Sequence, residues 1–234
     1  MTFVDKYPTE AKLVRWHFGV GFVALALGGL FGLVQALYRT GYFRSLLPIN
    51  ATEYYTVLTG HGVLLALVFT TFLICGFFVW AVTRSLGRPL AHQRVAWAGF
   101  LSMLVGTVLA AVTILNGFAP ALPFESADVL YTFYAPLKGH PAFYVGAALL
   151  IVGSWVVGAE YFLTYREWRA DNPDSRIPLQ TFMVLATFIM WYLSTLGVAV
   201  EVLVFLIPWS LGWISQVDPL LTRTLFWYFG HPVV

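Results

Sequence analysis

Six apolar stretches, each long enough to cross a bilayer, constrain this sequence more than any other feature. They fall at about 16–38, 51–83, 95–118, 139–163 and 178–207, with a sixth beginning near 219. A helix needs roughly 20 mostly apolar residues to span the hydrocarbon core. Lipid offers the backbone no hydrogen-bonding partners, so each stretch must be helical. The sequence therefore predicts an all-α, polytopic transmembrane bundle of about six helices, the last of them incomplete.

The composition supports a membrane protein and excludes several other classes. Charged residues make up 10% of the chain, whereas a soluble domain carries roughly 25%. A net charge of +2 gives no reason to expect a nucleic-acid partner. The single cysteine, Cys75, cannot form an internal disulfide. The residues before the first apolar stretch are polar and do not resemble a cleaved signal peptide.

The basic residues predict which way the helices run. The N-terminal tail and the loops after the second and fourth helices would share one side, and they carry nine of the thirteen Lys and Arg residues. The other side carries Arg39, Arg44, Lys138 and Arg223. By the positive-inside rule, the N-terminus is predicted to be cytoplasmic. Trp209, Trp213, Tyr54 and Tyr55 would then belong to an outer aromatic belt.

Two histidines stand out as candidate ligands. Asn50, with Glu53 three residues later, predicts the start of the second helix, and Asp218 followed by Pro219 predicts that of the sixth. His61 and His231 each lie about ten to twelve residues further on, roughly 15–18 Å below an outer helix start. The two imidazoles are therefore expected at similar depth, facing a common interior.

The surroundings of these histidines differ. His61 lies between glycines in TGHGVLLALVFTTF, which would let a flat macrocycle approach the helix, and imidazole is a common haem ligand. His231 precedes Pro232, and a proline inside a helix kinks it and can aim an imidazole at a metal. The alternative is that each imidazole only hydrogen-bonds to a neighbouring helix. Tight helix packing is likewise an alternative explanation of Gly28-x-x-x-Gly32.

Five other polar residues are weaker candidates. His17 and His92 are expected at the cytoplasmic boundary, in a solvated interfacial setting. His140 would anchor the outer mouth of the fourth helix, and Glu160 would extend from its inner end towards water. Glu201 lies deeper, so it must be neutral, paired or beside water, and either a proton-handling or a structural role is open. The sequence shows no carboxylate pair, nucleophile triad, phosphate loop or thiolate cluster.

The two histidine motifs resemble those of haem-copper oxygen reductase (cytochrome c oxidase) subunit I. LFWYFGHPVV resembles the family's W-x-x-G-H-P-x-V segment, in which the histidine is a copper ligand, here His231. TGHGVLLALVFTTF resembles the segment of the low-spin haem ligand, here His61. YTFYAPLKGHPAFY, the Glu201 segment and VDPLLTRTLFWYFGHP are similar to the B-type branch, typified by thermophilic bacterial cytochrome c oxidases.

Two departures from the larger A-type branch favour the B-type. That branch carries Glu after Gly-His-Pro, where this chain has Val233. It also carries Asp in the loop after the second helix, whereas RSLGRPLAHQR contains no acid. The proton route served by those residues is therefore expected to be absent.

The resemblance implies a catalytic subunit of a respiratory terminal oxidase in a prokaryotic plasma membrane. Its cofactors would be a low-spin b-type haem, a high-spin haem and copper. Electrons would pass from cytochrome c through a copper-bearing subunit II, and O2 would be reduced to water with proton translocation. An oxygen path would involve Tyr131, Phe133, Trp227 and Val233. The alternative for each of these four residues is ordinary packing.

The resemblance also implies that the remaining metal ligands follow Val234. The chain is then expected to be a single membrane domain, the N-terminal part of a larger subunit, and inactive alone. Two other functions stay open at this point. One is a nitric oxide reductase of the same superfamily, which also uses His231, and the other is a transporter or structural membrane subunit in which both histidines only pack.

Overall fold

The computed structural model describes residues 2–41, 48–118 and 130–233, and of Val233 it describes the backbone alone. Throughout these ranges the regular structure is helical. A short helix, Phe3–Lys6, precedes six long helices. These are α1 (Pro8–Arg39), α2 (Ala51–Leu86), α3 (Gln93–Leu115), α4 (Pro141–Asp171), α5 (Leu179–Ser210) and α6 (Pro219–Val233). The predicted all-α bundle is therefore confirmed.

Five of the helices, α1 to α5, are long and apolar enough to cross a membrane. The sixth, α6, has 15 residues, which corresponds to about 22 Å and is shorter than the hydrocarbon core. Both predicted helix starts are confirmed. Asn50 and Glu53 form a reciprocal capping box with bonds of 2.9 and 2.8 Å, and the Asp218 carboxylate accepts from the Leu220 amide at 2.8 Å.

Two helices extend further than their apolar stretches. The α1 helix begins at Pro8 rather than near residue 16, because a proline at the first helical position starts a helix without losing a hydrogen bond. The α4 helix continues to Asp171, eight residues past the predicted end. Its last turns carry Glu167 and Asp171, which bind Arg88 of the α2–α3 loop at 2.6 and 3.1 Å.

Glycines bring α3 and α4 into close backbone contact. A methyl group added at Gly153 would lie 2.6 Å from the carbonyl oxygen of Gly99, and one added at Gly99 would lie 2.8 Å from that of Gly153. Two turns away, a methyl group at Gly146 would lie 2.7 Å from the carbonyl oxygen of Gly106. Small residues permit this approach, which strengthens dispersion contacts in a lipid environment.

Two buried carboxylates hold the α2–α3 loop. Glu10 of α1 accepts from the Leu90 amide at 3.0 Å and from the Gln93 side chain at 2.8 Å. Glu160 of α4 accepts from the His92 amide at 2.8 Å. The prediction that Glu160 extends towards water is therefore wrong, because the loop folds over the helix end and supplies an N–H donor. His92 is exposed, as predicted, and its imidazole lies 3.4 Å from Glu160.

The α3–α4 contact yields a stability prediction. Gly153→Ala should lower the free energy of unfolding by about 1–3 kcal/mol, because its methyl group meets backbone that cannot move aside. Denaturant titration of the purified protein in detergent would measure the change. Gly29→Ala is the control, since nothing lies within 4 Å of its added methyl group, and it should leave stability unchanged or slightly raised. Equal stability of the two variants would contradict the prediction.

Candidate functional site

His61 faces α1 rather than lipid. Its Nδ1 donates to the backbone carbonyl oxygen of Gly28 at 2.8 Å. A carbonyl oxygen accepts only, so Nδ1 is the donor, and in the neutral imidazole the free lone pair is then on Nε2. Nε2 makes no hydrogen bond to any residue that the structure describes. An oriented neutral imidazole with one nitrogen held and the other free is the arrangement that a metal ligand requires.

Glycines on α1 make room for this ring. A methyl group at Gly32 would lie 2.8 Å from Cε1 of His61, so the α1 glycines serve both close packing and the imidazole. The glycines beside His61 also allow close packing. Methyl groups at Gly60 and Gly62 would meet the rings of Phe31 and Tyr131 at 2.6 and 2.5 Å. These glycines therefore admit aromatic side chains of this chain, and clearance for a macrocycle beside His61 stays a prediction.

Two of the three deep polar residues singled out from the sequence, His61 and Glu201, adjoin π-helical segments. The segment Val63–Phe69 begins two residues after His61, and the segment Glu201–Leu206 begins at Glu201 itself. A π-helical turn contains an extra residue and often marks a functional site. The sequence carries no signal for these segments.

Glu201 is fully buried in α5. Neither of its carboxylate oxygens has a hydrogen-bond partner among the described residues, so a structural hydrogen bond of the kind weighed for it is absent from that part of the chain. A carboxylate charge without partners in hydrocarbon is costly, which favours the neutral, protonated acid. Its electrostatic neighbour is Tyr144 of α4, whose hydroxyl accepts from the Gly139 amide at 3.0 Å.

The structure does not bring His231 into contact with His61. His231 and Pro232 are exposed near the end of α6, and the described residues provide His231 with no hydrogen bond. The α6 helix packs mainly against α5. The Trp227 side chain is also exposed, with 46% of its surface accessible. The side chain of Val233 lies outside the described residues.

Phe133 lies at an apolar cavity between α2, α4, α5 and α6. The cavity has a volume of about 30 Å³, above the roughly 10–15 Å³ that one water-sized molecule needs. Its lining includes Leu67 and Val202, one from each π-helical segment, together with Phe133 and Phe229 of α6. Phe133 is buried and has a positive φ of 33°, a conformation that costs energy in a bulky residue. Tyr131 lies instead against Gly62.

The prediction made from the sequence was least accurate for the location of His17. It was expected in an interfacial setting, yet it is fully buried, with ring centroids 4.8 and 5.8 Å from Phe100 and Phe72. Its Nδ1 donates to the Leu13 carbonyl oxygen at 2.9 Å. Because α1 starts at Pro8, His17 lies about 14 Å along the helix. Pro8 was the signal that could have shown this.

His140, by contrast, caps α4 as an anchor, accepting from the Ala142 amide at 3.2 Å.

The fold and site together define a polytopic helical membrane protein with an imidazole prepared as a ligand. A family model for cytochrome C and quinol oxidase polypeptide I matches residues 12–234. The chain therefore belongs to this family. A solved structure of a haem-copper terminal oxidase dimer has a TM-score of 0.84 and 38% identity, covering 97% of this chain and 37% of that chain.

Two curated relatives agree with this assignment. Cytochrome c oxidase subunit 1 of Thermus thermophilus is 40% identical over 98% of this chain and 40% of its own length. The alternative cytochrome c oxidase subunit 1 of Bradyrhizobium diazoefficiens is 27% identical over 97% of this chain and 42% of its own length. The chain thus spans about 40% of the length of these relatives. Membership of this family disfavours a transporter or purely structural subunit.

Glu201 and Glu160 support a prediction in which removing each carboxyl group changes the stability in opposite directions. Glu201→Leu should raise the free energy of unfolding by about 1 kcal/mol or more, because it removes a buried polar group to which the described residues offer no hydrogen bond. Glu160→Leu is the matched contrast and should lower it, since the His92 amide would lose its acceptor. Denaturant titration would compare both variants with the parent. Destabilisation by Glu201→Leu would indicate a structural hydrogen bond instead.

Proposed function

We propose that this chain is part of the catalytic subunit of a respiratory oxidase that reduces O2 to water with proton translocation. The observation that carries the proposal is the His61 imidazole, held through Nδ1 by Gly28 with Nε2 free. Electrons would come from cytochrome c through a copper-bearing subunit II. Family membership and the name of the Thermus thermophilus relative support this assignment.

The residues of this chain fit a haem at His61. The Gly28 carbonyl fixes the tautomer and the ring direction, and such a partner also raises the basicity of the ligating nitrogen. Gly32 has no side chain that would occupy the space of the His61 imidazole. Haem bound there, of the low-spin b-type, would supply one-electron transfer. The remaining axial ligand is expected outside this stretch of sequence.

His231 would supply one copper ligand. Its exposure and lack of partners among the described residues leave the imidazole free to bind a metal, and Pro232 within the helix gives the backbone a local kink. A high-spin haem and further copper ligands would come from sequence beyond this stretch. The B-type subtype is proposed on Val233, the acid-free α2–α3 loop and the higher identity to the Thermus thermophilus relative.

Two further features of the chain are suited to O2 binding and to proton transfer. The apolar cavity beside Phe133 offers a small non-polar gas a site between four helices. We place Phe133 on the oxygen path for this reason, with Tyr131, Trp227 and Val233 proposed from resemblance. Glu201 has no hydrogen-bond partner among the described residues, and its neutral acid could release a proton and take it up again through a transient water. The N-terminus is proposed to be cytoplasmic in a prokaryotic plasma membrane.

The ligand assignment is tested by His61→Ala in the assembled oxidase. The variant should lose the low-spin haem absorption and electron paramagnetic resonance signals, because low-spin iron needs two strong axial nitrogens. Membrane insertion should persist, since Ala suits a transmembrane helix better than His. His92→Ala is the control and should keep the spectrum, as this histidine is exposed at the opposite end of the bundle. A normal low-spin spectrum in His61→Ala would overturn the assignment.

The oxygen path is tested by filling the cavity. Ala148 of α4 lines it, so Ala148→Leu should occupy its volume and slow the binding of O2 and of carbon monoxide several-fold. Flash photolysis of the carbon monoxide complex would measure the recombination rate. Ala159→Leu, on the same helix away from the cavity, should leave the rate unchanged. Identical rates in both variants would remove this cavity from the path.

A further inference from the structure

A pocket lined partly by basic residues lies where the beginning of the chain meets the end of α2. Its volume is about 380 Å³, which falls within the roughly 300–1,000 Å³ typical of small-molecule sites. The residues that line it are Thr2, Phe3, Lys6, Tyr7, Arg84 and Gly87. Two segments that are distant in the sequence therefore form one pocket, at the same end of the bundle as the α2–α3 loop.

Two cations give this pocket its charge. Lys6 and Arg84 are both exposed, and neither forms an ion pair within the part of the chain that the structure describes. The acid beside Lys6 in the sequence, Asp5, has other partners, because its carboxylate accepts from the amide and the hydroxyl of Thr2 at 2.9 and 2.7 Å. The pocket therefore presents two positive charges that the described carboxylates leave available to an anion.

Aromatic rings hold both cations in place. The guanidinium carbon of Arg84 lies 5.1 Å from the centroid of the Trp80 ring, and Nζ of Lys6 lies 5.1 Å from the centroid of the Tyr7 ring. Both distances are within the range of a cation–π attraction. A guanidinium stacked on a ring keeps the N–H groups of its edge, which match the oxygens of a phosphate. The donors of the pocket are therefore oriented before a ligand arrives.

An apolar surface continues from the pocket along α2. Phe77 and Trp80 lie on the same side of the helix as Arg84, because residues three or four apart are neighbours on a helix surface. Phe77 is 47% exposed, and its ring centroid lies 5.6 Å from that of Trp80. It lies seven residues before Arg84, about 10 Å deeper along the helix. Basic residues followed by an apolar surface match an amphipathic ligand better than a small free anion.

We propose that this pocket binds the phosphate group of an anionic glycerophospholipid, with an acyl chain lying along Trp80 and Phe77. The Arg84 guanidinium donates to two phosphate oxygens, and Lys6 supplies the second positive charge. A zwitterionic lipid fits less well, because its ammonium group would repel both cations. This end of the bundle is the one proposed to be cytoplasmic, where basic pockets between transmembrane helices bind anionic headgroups. The site is separate from the proposed function of His61.

The first experiment measures binding of dioleoyl phosphatidylglycerol to the assembled oxidase in a neutral detergent, by native mass spectrometry. Lys6→Gln combined with Arg84→Gln should weaken binding about 30-fold, since each basic side chain beside an anionic lipid contributes about fivefold. The matched control combines Arg94→Gln with Arg166→Gln. It removes two charges from exposed side chains that do not line the pocket, and it should bind the lipid as the parent does. Without added lipid, both variants should unfold at the temperature of the parent.

The second experiment distinguishes a lipid from a soluble phosphate. Dioleoyl phosphatidylcholine has the same acyl chains without net charge, and glycerol 1-phosphate has the phosphate without acyl chains. Both should bind the parent more weakly than dioleoyl phosphatidylglycerol. Phe77→Gln should also weaken the binding of dioleoyl phosphatidylglycerol, because it makes the apolar surface polar. Phe22→Gln is the control, since Phe22 is similarly exposed, at 55%, on α1 and does not line the pocket.

Several outcomes would overturn the proposal. Equal loss of phosphatidylglycerol in the two charge-removing variants would show a general attraction to the basic surface rather than a site. Equal affinity for phosphatidylcholine would exclude recognition of the headgroup charge. Glycerol 1-phosphate that binds as tightly as the lipid would assign the pocket to a soluble phosphate, and equal binding by Phe77→Gln and Phe22→Gln would exclude the acyl path along α2. None of these results bears on the assignment of His61 as a haem ligand.

Discussion

The rest of this structure depends on the absence of hydrogen-bonding solvent in the hydrocarbon core. Every spanning backbone must satisfy itself, which dictates helices, and every buried polar side chain must find a partner or a function. The bundle meets the second requirement unevenly. Glu10 and Glu160 receive N–H donors from the folded α2–α3 loop, whereas Glu201 receives none from the described residues. The carboxyl groups of Glu10 and Glu160 therefore stabilise the bundle through hydrogen bonds, whereas burial of the Glu201 carboxyl group lowers its stability.

His61 shows how the same constraint prepares a ligand. Gly32 carries no side chain, so the α2 imidazole can lie against α1 and donate Nδ1–H to the Gly28 carbonyl oxygen. That single contact fixes the tautomer, orients the ring and closes part of the α1–α2 interface. Further along α2, Gly76 lies close to His17 of α1, so both ends of α2 pack against the same helix. The contact that orients the His61 ring is therefore also a contact between the two helices.

Much of this could be predicted from the sequence, and the omissions have physical causes. The membrane-spanning helices could be predicted from the length of the apolar stretches. The starts of two helices could be predicted from the capping side chains of Asn50 and Asp218, because capping depends only on neighbouring residues. The burial of His17 was missed because the polar first turns of α1 were assigned to the tail, although Pro8 marks the true start. The partner of Glu160 could not be foreseen, since it is a backbone amide 68 residues away. The π-helical segments depend on tertiary contacts that leave no periodic signal.

The glycine contact between α3 and α4 has a consequence for the order of biogenesis. It consists of backbone and small side chains and uses none of the proposed cofactor ligands. The two helices can therefore associate in the bilayer as soon as both are inserted, before any haem or metal is delivered. The α2–α3 loop can then be fastened to the end of α4 through Glu160 and Arg88. Cofactor insertion would thus act on a chain in which α3 and α4 are already associated.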